Sequence, residues 1–190
     1  MSASRPANLA RPYFQSIALP NYREFLTAQT DLRRAWNAGV SLAHTIDYMA
    51  ADAGEDADLY RQALIDAHPP LEVPVRLCNA LKHVEASRGT RGGPPFISAW
   101  EINVPAPDEV LWVDELEDGG RREFRRSMET EFLYVPFRKE GKTRPIWIGA
   151  ALYGATRQLA INLDCESLLG HDSFPDVFNL VYRDVPATVG

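Results

Sequence analysis

The run Arg76-Leu77-Cys78-Asn79-Ala80-Leu81-Lys82-His83 holds the residue types best placed for chemistry. On a helix, Arg76 and His83 stand seven positions apart, which at about 3.6 residues per turn is two turns and about 20° out of line. Asn79 shares the strip, three residues after Arg76 and four before His83, the spacings at which helical side chains become neighbours. Leu77, Leu81 and Val84 fall on the opposite side, so such a helix can bury one face and offer the other. A permanent cation, an amide and a titratable imidazole on one stripe is a set that phosphodiester chemistry can use. An ordinary solvated helix face can carry the same three residues.

The elements that must position this strip read as helices. Pro20 and Asn21 form a start signal, with Asn21 as N-cap and Glu24 three residues on as in a capping box. Phe25, Leu32, Trp36, Val40, Ala43 and Met49 then recur at mostly three- to four-residue spacing to about Ala53. Gly39 either breaks this stretch into two helices or bends one. Gly54-Glu55-Asp56 is a turn before a second helix whose apolar face is Leu59, Tyr60, Ala63 and Leu64, and His68-Pro69-Pro70 ends it. A third helix is expected from about Leu71 to Ser87, with Pro74 tolerated because it lies in the first turn.

After the Gly/Pro-rich linker from Arg88 to Pro95, the periodicity changes to that of strands. Strands are expected at Phe96 to Val104, Glu109 to Glu115, Arg121 to Met128, Glu131 to Arg138 and Thr143 to Leu152. Asp118-Gly119-Gly120 and Lys139-Glu140-Gly141-Lys142 read as hairpin turns. Ala155 to Tyr182 is open between two readings: Leu159, Ile161 and Leu163 suggest a strand, while Leu168, Phe174, Val177, Phe178 and Val181 suggest a closing helix. The expected fold is α+β: an N-terminal arm over 1–20, a helical bundle over 21–92, and a small antiparallel β-sheet subdomain over 93–190.

Composition narrows the function classes. At 190 residues with 45% hydrophobic content, the chain can bury a substantial core. Its net charge of -6 gives no general basic footprint for nucleic acid. Up to Gly92 there are ten basic and ten acidic residues, and after it ten basic and sixteen acidic, so the excess acid belongs to the second half. Cys78, on the apolar side of its helix, is expected to be a small buried thiol, and no disulfide with the distant Cys165 is expected. Met1 to Asn8 lacks an apolar stretch, and no segment approaches the roughly 20 apolar residues of a membrane span, so a soluble, cytoplasmic protein is expected.

A helical bundle with an Arg, four to six intervening residues and a His on its last long helix resembles the HEPN superfamily. Arg76 and His83 have six residues between them, and Asn79-Ala80-Leu81-Lys82-His83 resembles an N-A-x-K-H signature of small bacterial proteins with this layout. The likeness covers about Asn21 to Ser87. It implies a metal-independent endoribonuclease, often a toxin or phage-defence effector, whose site forms across a homodimer. Carried over, His83 would exchange the proton of the attacking 2′-hydroxyl or the leaving 5′-oxygen. Arg76 would hold the scissile phosphate and stabilise charge growing on its oxygens, and Asn79 or Lys82 would orient it. No metal or other cofactor is implied. Where the family carries a polar residue after the Arg, this chain has Leu77.

Each residue also has a plainer reading. His83 can be a half-buried helix histidine bonded to a carbonyl, and Arg76 can pair with Glu72 in an exposed bridge worth a few tenths of a kcal/mol. His44 and Asp47 could offer two metal ligands, which do not make a site; His171-Asp172 is a weaker pair. Arg88 and Arg91, in the Gly-rich loop, could approach a phosphate backbone. Arg121, Arg122, Arg125 and Arg126 split between the two faces of a strand, which favours edge protection over a nucleic-acid platform. Trp100, Trp112, Phe132, Tyr134, Phe137 and Trp147 read as core; only Phe124 is interleaved with arginines as RNA stacking requires. The nuclease reading implies an RNA substrate and an antitoxin as candidate partner; the alternative function is a non-catalytic protein- or nucleotide-binding module whose acidic β-rich half docks a protein partner, by nucleic-acid mimicry or by neutralising a basic one.

Overall fold

The computed structural model describes residues 8–82, 97, 101–126, 131–139, 142–170 and 181–185. Its architecture is mixed helix and strand, with small antiparallel sheets. The first helical run comprises α1 (Ala10–Tyr13), a π-helical turn (Phe14–Ala18) and α2 (Leu19–Leu26). Asn21 therefore lies inside a helix and is not its N-cap. The helix starts at Ala10, where the Asp52 carboxylate accepts from the Leu9 and Ala10 N–H groups, both at 2.8 Å. Proline lacks an N–H and crowds the carbonyl one turn back. The wider π turn directly before α2 accommodates Pro20 without ending the helix.

The break in the expected Asn21–Ala53 stretch falls at Thr27 to Asp31, not at Gly39. Asp31 caps α3 (Leu32–Ala53) by accepting from the Arg34 N–H at 3.1 Å. Gly54, at φ 70°, closes α3, and Asp56 caps α4 (Ala57–Ala67) through the Asp58 and Leu59 N–H groups. A 3-10 turn (Pro69–Leu71) leads into α5 (Glu72–Lys82). Gly39 sits in mid-α3 because α5 crosses there: a Cβ at this position would lie 2.7 Å from Leu77 Cδ2.

β1 (Val110–Glu115), β2 (Arg121–Arg125) and β5 (Val181–Val185) form one antiparallel sheet in the order β1-β2-β5. Gly119, at φ 79°, makes the β1–β2 turn, with the Leu116 N–H donating to Gly120 O at 2.8 Å. β3 (Tyr134–Lys139) and β4 (Lys142–Trp147) form a hairpin closed by the Lys139–Lys142 pair. Of the expected strand Phe96 to Val104, the described residues keep only a bridge between Asn103 and Tyr134.

The strand expected from Thr143 to Leu152 ends at Trp147, and α6 (Ile148–Asn162) follows at once. The Ile148 N–H donates to Leu133 O at 3.1 Å, so the strand side satisfies the start of this helix. Leu159 and Ile161 are helical rather than a strand. Ile148, Leu152, Ala155 and Leu159 are buried at helical spacing, which overrides the local alternation. These side chains share one core with Phe14, Phe25, Leu42, Ile46 and Leu77, and with Val135 and Phe137 of the hairpin. The helical layer thus draws on both ends of the described chain. Cys78 and Cys165 are both buried thiols. Among the described residues, no helix is long and apolar enough to cross a membrane.

Candidate functional site

α5 begins with Glu72 in its first turn, where the positive end of the helix favours an acidic side chain. Pro74 also falls in that turn, where its missing N–H costs nothing. Val73, Val75, Leu77, Cys78 and Ala80 are buried, so α5 is enclosed around most of its circumference. From Leu71 to Ala80 only Arg76 and Asn79 reach intermediate exposure. The partly open side of α5 is therefore the Arg76–Asn79 strip that the sequence singles out.

Arg76 is not presented bare. Its Nη2 lies 3.3 Å from Glu72 Oε1, with 26% of the arginine side chain exposed and 9% of the glutamate. The pair has the i, i+4 geometry expected from sequence, but it is not a surface bridge: the enclosed first turn of α5 takes the carboxylate out of solvent. Lys82 is the last residue of α5. His83, Arg88 and Arg91 lie outside the described residues, as do His171 and Asp172.

Asp47, Arg121, Arg125 and Arg126 are engaged structurally. Asp47 accepts from Arg61 Nη2 at 2.5 Å, and the same guanidinium binds Asp58 at 2.7 Å, tying α3 to α4. No group of three or more His, Cys, Asp or Glu side chains that could hold a metal occurs among the described residues. The β2 arginines do not protect an edge, because β2 is the central strand of its sheet. Glu123, with an 8% exposed side chain, pairs with Arg121 at 3.2 Å and Arg125 at 2.6 Å, while Arg125 also reaches Asp108 at 3.0 Å. Arg126 is 4% exposed, donates to Pro105 O and lies 3.7 Å from Glu131. Arg121, Arg125 and Arg126 are thus satisfied by carboxylates or a carbonyl of the same region. Of the aromatics, Phe132 packs edge-on to Trp147 at 5.2 Å between ring centroids, as core residues do.

One cluster escapes sequence reasoning. Tyr13 of α1 packs against Tyr48 of α3 with ring centroids 4.4 Å apart and the rings tilted by 34°. Burial, followed by the nearby Tyr48, Cys78 and Asp47, pushes the Tyr13 hydroxyl above its ordinary pKa. The cluster lies where α1, α3 and α5 meet. Tyr13 falls in the segment read as an arm, and only a helical phase for residues 10–20 could have pointed to it. In the β region, hydrogen bonding from Arg138 outweighs burial and holds the Glu101 carboxyl below its usual range.

The chain matches no family model, no curated protein and no solved structure.

Proposed function

We propose that the chain is a metal-independent endoribonuclease of the HEPN type, acting as a homodimer in defence or in a toxin–antitoxin pair. The observation that carries this reading is the exposure pattern of α5: between Leu71 and Ala80 its partly open side chains are Arg76 and Asn79. The sequence expectation puts His83 on the same strip. In this reading Arg76 grips the scissile phosphate, and His83 takes the 2′-hydroxyl proton or delivers one to the leaving 5′-oxygen. Asn79 and Lys82 orient the phosphate, and Arg88 and Arg91 hold the flanking backbone. In-line attack by the 2′-hydroxyl proceeds without a metal, so cleavage should persist in a chelator.

The test is incubation of the purified protein with total RNA in EDTA, comparing wild type with His83→Ala. Chelator-resistant cleavage that disappears in the variant is the expected result. An intact RNA profile with wild-type protein across structured and unstructured substrates overturns the reading. It would favour the second one, a non-catalytic module that binds protein or nucleotide, to which the engagement of Arg76 by Glu72 lends support.

A further inference from the structure

The Glu72–Arg76 pair bears directly on how a phosphate could reach α5. The two residues sit one turn apart, so Arg76 cannot move away from the carboxylate without changing rotamer. Glu72 lies in the first turn, where the helix itself favours negative charge. With a side chain only 9% exposed, it has little freedom to swing into water, whereas the Arg76 side chain is 26% exposed on the partly open strip it shares with Asn79. A phosphate approaching from solvent meets the guanidinium with a carboxylate already on it at 3.3 Å. Carboxylate and phosphate seek the same N–H fork, and the two anions repel each other.

We propose that Glu72 is a built-in competitor for the Arg76 guanidinium, setting how strongly an RNA phosphate is held there. The proposal rests on the reading of Arg76 as a phosphate-binding residue. An isolated phosphate must displace the carboxylate or share the guanidinium with it, and is held weakly. An RNA strand whose neighbouring phosphates engage other cations can meet that penalty, so Glu72 tilts the site towards polyanionic strands over single phosphates.

The test is a double-mutant cycle read by fluorescence anisotropy. Wild type, Glu72→Gln, Arg76→Ala and the double variant are titrated with a labelled 2′-O-methyl RNA oligonucleotide, which lacks the attacking hydroxyl and is not consumed. Glu72→Gln keeps the side-chain shape and removes the charge. It should tighten binding on the order of tenfold with Arg76 present, and not when Arg76 is Ala. Glu72→Asp, which keeps the charge but draws it back from Nη2, should fall between, and circular dichroism of each variant checks that it is folded. If Arg76→Ala weakens binding but Glu72→Gln leaves the affinity unchanged, lowers it, or shifts it equally in both backgrounds, the competitor role is overturned while Arg76 keeps its place. If wild type binds no RNA, or Arg76→Ala binds as well as wild type, the reading of Arg76 fails and the competitor role falls with it.

Discussion

Gly39→Ala tests how α5 is seated. In an ordinary exposed helix this change stabilises by about 1 kcal/mol, the difference in helix propensity. Here the new methyl would lie 2.7 Å from Leu77 Cδ2 and 3.5 Å from Leu77 Cγ, whereas carbon atoms pack comfortably at about 3.5–4.0 Å. Leu77 is fully buried and Leu152 Cδ2 stands 3.8 Å from the same point, so Leu77 has little room to retreat. Overpacking of this kind costs about 1–3 kcal/mol. Setting the propensity gain against it leaves a net loss of about 1 kcal/mol, or about 2–4 °C in Tm for a chain of this size. Urea unfolding of Gly39→Ala, Leu77→Ala and the double variant separates the contributions. Leu77→Ala alone should cost about 2–5 kcal/mol, and the double variant should recover about 1 kcal/mol or more relative to additivity. A stabilised Gly39→Ala, or a cycle that closes additively, would refute the close crossing of α3 and α5.

Three further outcomes are expected. The Arg138 hydrogen bond holds Glu101 below its usual value of 4.5, so its stabilising contribution is present above that pH and is lost as pH falls through the lower folded value. Stability measured against pH should therefore separate wild type from Glu101→Gln above pH 4.5, with the curves converging in more acidic solution. Arg126→Met leaves the Pro105 carbonyl without its charged donor and should lower stability by about 1–3 kcal/mol in urea unfolding, a loss that an exposed edge arginine would not produce. A fragment ending at Gly92 lacks α6, whose Ile148, Leu152 and Leu159 are fully buried in the helical core. Each such side chain contributes about 1.5–3 kcal/mol against a typical total of about 5–15 kcal/mol, so the fragment should show no cooperative melt by circular dichroism, and a sharp transition would contradict this.

The elements that could be read from sequence are those marked by local signals. The Gly54–Asp56 turn, the His68–Pro70 stop and the Asp118–Gly120 hairpin each rest on a residue whose backbone or side chain demands the observed geometry, such as Gly54 and Gly119 in the left-handed region. The start of the first helix has no local signal because its cap comes from Asp52, far along the chain, rather than from a neighbouring residue. The π turn further disguised Pro20 as a boundary. α6 carries no local start signal for a related reason: its first N–H is bonded by Leu133 rather than by a capping side chain, and Leu159-Ala160-Ile161 imitates strand alternation over a short window. The β2 arginines illustrate the limit for charge. Arg121 and Arg125 flank Glu123 at two-residue spacing on one face of the strand, a relation local alternation contains, whereas the reach of Arg125 to Asp108 and of Arg126 to Pro105 depends on tertiary placement that no local pattern encodes.

The Arg76 strip joins these two kinds of information. Its spacing can be read directly, but whether it faces outward depends on how the rest of α5 is gripped. Val73, Val75, Leu77, Cys78 and Ala80 are buried, so rolling α5 to present another face would expose several apolar side chains at once. Fully burying one such side chain contributes about 1.5–3 kcal/mol. The orientation of Arg76 and Asn79 is thus set by the core and not by their own contacts. Removing Glu72 changes what the guanidinium touches but leaves the direction of the strip in place, whereas disturbing the Gly39–Leu77 crossing moves the strip itself. On the proposed reading of Arg76 as a phosphate-binding residue, a substitution at Gly39 should therefore change RNA affinity even though it touches no proposed ligand-binding group. A Glu72 substitution should change affinity with little effect on the packing of α5 against α3.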